Sequence, residues 1–142
     1  MMKLDIFKDT DARIPRSRIQ RLFNRVVKAE GHARKRGNVN LIITDNKGIR
    51  NLNRQFRSLD KATDVLSFNL DGGKEPGSTL GEIYLSAEYA RAQAESHDRS
   101  IWDEYTLLVC HGLLHLFGYD HADLRQEKAM FALQEKYLKG RR

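Results

Sequence analysis

The stretch HGLLHLFGYDH, His111 to His121, holds three of the chain's five histidines. Its reading decides what the rest of the chain must build. His111 and His115 are four apart in a segment whose spacing predicts a helix, so their side chains share one face, with Cβ atoms about 5–6 Å apart. Gly118 falls where that helix would stop, because glycine enters the left-handed C′ conformation cheaply. A chain reversed there brings His121 back towards the other two. Three neutral imidazoles with a fourth position open make the ligand set of a catalytic zinc, whereas a structural zinc closes with four protein ligands, often cysteines. Cys110, the chain's one cysteine, adjoins His111 but points about 100° away around a helix. It reads as a small buried apolar residue, with a reactive thiol as the minor alternative.

Working outward, Ser100 and Asp103 resemble a capping box that opens the histidine helix. LGEIYLS (Leu80–Ser86) reads as a strand, and Ser86 as the cap of the helix AEYARAQAESH that follows it. DGGKEPGST (Asp71–Thr79) is a loop, and DVLSFNL (Asp64–Leu70) a further strand. NVNLIIT (Asn38–Thr44) is a strand rich in β-branched residues, and Asp45 caps a helix with Ile49, Leu52 and Phe56 on one face. KLDIF (Lys3–Phe7) is a weaker strand. A helix from about Pro15 to Lys35 buries Ile19, Leu22, Phe23, Val26 and Val27. A last amphipathic helix follows Asp123, with Met130, Phe131, Leu133, Tyr137 and Leu138 as its apolar set. This order predicts a single α+β domain over residues 1–142, with about four strands in a mixed sheet and about five helices.

The bulk numbers agree with that and narrow the function. The 142 residues suit one core, and neither the 40% apolar nor the 31% charged fraction suggests disorder or a membrane span. One cysteine and no apolar leader at the N-terminus point to a reducing, cytoplasmic setting. The formal charge is +6, unevenly spread: between Arg13 and Arg36 nine Lys or Arg face one acid, Glu30, a local +8 that leaves the remainder at −2. A localised positive field suits a polyanion. Arg18, Arg21, Arg25, Lys28 and His32 form a stripe along the first long helix. It reads either as a ridge for RNA phosphates or as an ordinary solvated face.

The histidine spacing fits the metzincin protease pattern in all but one defined position: Gly112 stands where those enzymes carry the glutamate base. A different family fits better. HGLLHLFGYDH resembles the signature of the YbeY family, metal-dependent endoribonucleases of bacterial rRNA maturation. LNRQFRSLDKATDVLSF (Leu52–Phe68) and LGEIYLS resemble two further blocks of that family, and together the three cover most of the chain from about Leu41 to His121. The resemblance implies a zincin-like α+β fold, one Zn2+ held by His111, His115 and His121, and cleavage of single-stranded RNA. It implies a role at the 3′ end of small-subunit (16S) rRNA and in late ribosome quality control. The small ribosomal subunit or assembly proteins become the expected partners, with no DNA and no membrane.

Arg57 matches an arginine that the family uses for function, which would make it a catalytic residue that also binds substrate. Lys61 is a weaker substrate-binding candidate, and His115 a catalytic one by way of the metal. Prolines common in the family are replaced by Ala62 and Asn69, which puts local loop rigidity in doubt. Asp120 either orients an imidazole or caps the next turn, and Glu82 reads as a solvated strand position, with an acid that supports a metal ligand as the minor alternative. His97 either closes a helix end or lines the cleft. Two alternatives remain beside the nuclease: a metalloprotease-like zinc hydrolase, and a ribosome-assembly factor whose zinc is mainly structural. No aromatic-rich RNA platform is visible in the sequence.

Overall fold

The computed structural model describes residues 2–32, 34–72, 75, 77–120 and 122–139. Among them the chain forms β1 (Lys3–Lys8), α1 (Arg16–Ala29), β2 (Asn38–Thr44), α2 (Asn46–Arg57), β3 (Val65–Asn69) and β4 (Thr79–Ser86). Helices α3 (Ala87–Ser96), α4 (Ile101–Leu116) and α5 (Leu124–Lys139) follow. The sheet order is β1-β2-β4-β3. β1, β2 and β4 run parallel, and β3 returns antiparallel to β4. Parallel neighbours need crossovers, and α1 and the α2–β3 unit supply them. The result is the expected α+β architecture with a mixed four-stranded sheet and five helices.

Strand alternation sets two unlike faces. Val39, Leu41 and Ile43 align with Gly81, Ile83 and Leu85 across the β2–β4 pair, and all are buried. Helix α4 packs on this face against β3 and β4, and α1 adds Ile19, Leu22, Phe23, Val26 and Val27 to one continuous core. The opposite face is covered less: α2 touches β3 and β4, and α3 touches β4. Ile42, Tyr84 and Phe68 on that face are only half-buried, and Phe7 is exposed.

Helix α4 is the hub, packed on the sheet, α1, α3 and α5. A helix enclosed on so many sides is apolar around most of its circumference. Asp103, Leu107, His111 and His115, at intervals of four, form a half-buried stripe along it. Its caps follow the sequence. Ser100 Oγ accepts from Asp103 N. At the other end Gly118, at φ +100°, closes a Schellman turn in which Tyr119 N donates to Leu114 O and Gly118 N to His115 O.

Two expectations change. Helix α1 ends at Ala29, not near Lys35, because Gly31 at φ +79° makes the same turn there, with His32 N donating to Val27 O. On α2, Ile49 and Asn53 are buried while Leu52 is half-buried and Phe56 is 60% exposed. Asn53 goes inside because its amide donates to Lys61 O, closing the loop after the helix.

Candidate metal centre and its cleft

The α4 stripe meets the end of α2, the loop 59–64, β3 and the turn after α4 around a cleft of about 740 Å³. Arg57, Lys61, His111 and His115 all line it, together with Asp64, Ser67, Asn69 and Asp120. The sheet edge is hooked to the helix there. Ser67 Oγ donates to Gly112 O at 3.0 Å, and Asn69 Nδ2 to Leu116 O at 3.2 Å. Asn69 Oδ1 also accepts from Asp71 N, so the asparagine anchors the loop in which the family commonly has proline.

His111 Nε2 and His115 Nε2 stand 3.2 Å apart. Two nitrogens bound to one tetrahedral ion at about 2.0–2.1 Å would be separated by about 3.3 Å. On His111 the other nitrogen, Nδ1, lies 2.7 Å from Gln134 Oε1 on α5. An amide oxygen only accepts, so that contact requires Nδ1–H and leaves the Nε2 lone pair facing His115. A carbonyl behind a histidine ligand is the usual means of fixing its tautomer. The two described imidazoles therefore fit a zinc ion in spacing, and His111 fits it in tautomer and support as well. Among the described residues no group of three metal-ligating side chains occurs, and the third expected ligand, His121, lies outside the described residues.

Gln134 is the residue that sequence reasoning missed. It is 4% exposed and lies four residues after Met130 and three before Tyr137, both buried. A polar side chain on the buried stripe of an amphipathic helix was the available signal. Gly112 is explained by contact. A Cβ there would lie 2.9 Å from Ile83 Cγ2 and 3.1 Å from Ser67 Oγ, so this side of α4 belongs to the sheet and not to the cleft.

Arg57 is exposed at the cleft edge. Its Nη2 donates to Ser67 O at 3.1 Å, and its guanidinium carbon lies 5.5 Å from the centroid of the Phe68 ring. These contacts hold a planar cation beside the histidines with donors to spare. Lys61 is exposed on the opposing loop. Asp64 Oδ1 accepts from Val65 N and Thr63 Oγ1, a loop-fixing role. Glu82 accepts from Tyr84 Oη on the far face of the sheet. His97 holds Gln93 O through Nδ1 at the end of α3 and also lines a small cavity beside His111 and Gln134. Cys110 is fully enclosed, and burial pushes its thiol pKa up to about 12, so it is a packing residue.

The basic stripe of α1 divides. Arg18 pairs with Asp103, Arg25 Nη1 donates to Tyr137 O at 2.7 Å, and His32 stacks on Phe117 with centroids 4.3 Å apart. Those three tie α1 to α4 and α5, while Arg21 and Lys28 stay exposed. The cations that line the cleft are Arg57, at the end of α2, and Lys61 of the following loop; α2 also carries Lys47, Arg50 and Arg54, of which Arg50 pairs with Asp60.

The family model described as Endoribonuclease YbeY matches residues 5–141. A protein named endoribonuclease YbeY from Nautilia profundicola is 48% identical over 101 residues, 71% of this chain and 70% of the relative. One of the same name from Heliobacterium modesticaldum is 39% identical over 113 residues, 72% and 68% of the two chains. The solution structure of TM1509 from Thermotoga maritima superimposes with a TM-score of 0.66 at 29% identity, covering 97% of this chain and 88% of that one. No helix among the described residues is long and apolar enough to cross a membrane.

Proposed function

Because the chain belongs to the endoribonuclease YbeY family, whose members cut RNA, we propose that it is a zinc-dependent endoribonuclease of single-stranded RNA. Its proposed place is the maturation of small-subunit rRNA at the 3′ end, in the cytoplasm, with the small subunit or its assembly proteins as partners. The observation that carries the reading is the pair of Nε2 atoms 3.2 Å apart, one tautomer set by Gln134, in a cleft that also holds Arg57 and Lys61.

His111 and His115 would hold the ion, with His121 as the third ligand, and zinc so bound supplies Lewis acidity and a water acidified towards neutrality. The protein's own groups do the rest. Arg57, restrained by Ser67 O and the Phe68 ring, meets a phosphate oxygen with its free donors and offsets charge that develops there. Lys61 adds a second cation across the cleft. Gln134 keeps the His111 ring from turning. RNA beyond the cleft is held through phosphates by the cations of α2 and by Arg21 and Lys28, so affinity falls steeply with added salt.

Cleavage of an end-labelled single-stranded RNA tests this. The wild-type protein is compared with identically prepared His115→Ala and Arg57→Ala variants, each with and without chelator. Cleavage that requires His115 and metal, and drops at least tenfold without Arg57, is the expected outcome. Equal cleavage by all preparations would mark a contaminant and remove the proposal. The product ends identify the nucleophile: a 2′,3′-cyclic phosphate would mean attack by the ribose hydroxyl and not by water.

A further inference from the structure

The structure gathers aromatic side chains that are scattered in sequence. Phe56 of α2, Phe68 of β3 and Tyr84 of β4 form a row, with centroids 5.5 Å and 5.8 Å apart and edge-to-face rings. The row lies on the thinly covered face of the sheet, where Ile42 and Phe7 continue it in register with Tyr84. Phe56 is 60% exposed and Phe7 53% exposed. At the other end Arg57 touches both systems: its guanidinium lies over Phe68 and it lines the histidine cleft.

We propose that this face is a base-stacking track that leads single-stranded RNA into the cleft, with Phe56, Phe68 and Tyr84 contacting bases and Arg57 contacting the backbone. The inference rests on the nuclease reading and extends it from a phosphate site to a second, base-contacting subsite. Single strands are held without sequence preference by this pairing of an electropositive edge with aromatic side chains. Charge favours such an occupant at one point: Arg57, the cation that lies over Phe68, also lines the cleft, whereas Lys47, Arg50 and Arg54 stand on the other side of α2 from Phe56. Continuity favours it too, because the row begins at a residue of the cleft. Glu82 stands in register with Phe68 and accepts from Tyr84 Oη, so the phosphates of a bound strand keep to the Arg57 side of the row. Duplex RNA offers no splayed bases to such a row.

The test compares binding of an uncleavable 2′-O-methyl RNA strand with binding of an abasic strand of equal length, by fluorescence anisotropy on the intact protein. The wild-type protein prefers the strand with bases. Phe56→Ala, at an exposed position where folding is not at stake, weakens that binding about fivefold or more and leaves abasic affinity unchanged, while Phe56→Trp retains it. Equal losses on both strands, or none on either, overturn the track. So does a Phe56→Ala variant that changes only the monomer–dimer balance in sedimentation, which would make the face a contact between two copies. Cleavage that still depends on His115 in the same preparations keeps the nuclease reading standing if the track falls. Base-dependent binding without any cleavage does the reverse, and a wild-type protein that binds neither strand overturns both.

Discussion

Gln134→Leu separates support of the metal from the metal's own ligands. The substitution keeps side-chain size but removes the oxygen that lies 2.7 Å from His111 Nδ1. With Gln134 only 4% exposed, water has little room to replace that acceptor. A buried donor left without its partner costs about 1–3 kcal/mol. Loss of a comparable support behind a metal-bound histidine lowers metal affinity about 10–100-fold, which corresponds to about 1.4–2.7 kcal/mol. The two independent routes agree, so zinc affinity of the variant is expected to fall by one to two decades. Competition against a chromophoric chelator measures it directly, with urea unfolding of the metal-free protein as the control for general damage. Gln134→Glu keeps an acceptor and is expected to retain affinity or raise it. If Gln134→Leu binds zinc as tightly as the wild-type protein while folding normally, the support argument is wrong, and the 2.7 Å contact serves only helix packing.

Two further outcomes test the frame around the site. Gly112→Ala gains about 1 kcal/mol in helix propensity but forces a methyl against Ile83 Cγ2 at 2.9 Å. Ile83 is fully buried and branched, so overpacking of about 1–3 kcal/mol prevails, and thermal unfolding should show a lower midpoint; a rise would refute the close approach. His32 sits on Phe117 at the end of α4, and burial lowers its pKa below 6.5, with Lys35 acting in the same direction. Because the unfolded chain then binds the proton more readily, the contribution of His32 is complete above pH 6.5 and declines as pH falls through the window below it. His32→Phe keeps the stack and should flatten that part of the stability curve relative to wild type; parallel curves for the two proteins would sink the assignment.

Much of this was legible in the sequence because each signal was local. NVNLIIT marks β2 with its observed limits, and Ser86, Ser100 and Asp45 cap the helices they precede. Gly118 makes the turn that its place after two helical histidines required. What was not legible depends on packing between distant elements. Periodicity put Phe56 on the inner face of α2, but α2 lies over only part of the sheet, and the buried place goes to Asn53 because a loop carbonyl needs its amide. The basic stripe of α1 looked like one ridge, yet Arg18 and Arg25 reach partners 85 and 112 residues away. No spacing rule relates such pairs. The aromatic row was invisible for the same reason: its members come from α2, β3 and β4, and only the sheet register joins them.

Gly112 links fold and chemistry most directly. Peptide hydrolysis at a three-histidine metal centre draws on a glutamate beside the first histidine to take the proton from water. Here that position faces Ile83 and Ser67 at contact distances that exclude even a methyl group without movement. The helix could therefore not take up a glutamate by a single substitution, and a protease reading fails on space as well as on residue identity. A phosphodiester makes a different demand, because it arrives charged and gains further charge in the transition state. The most useful protein groups are then fixed cations beside the metal, and Arg57 and Lys61 line the cleft that the histidines share. Close packing of α4 on the sheet thus removes the base that a protease needs. The same packing brings the Ser67 carbonyl to where it can hold Arg57, the group that a phosphate needs.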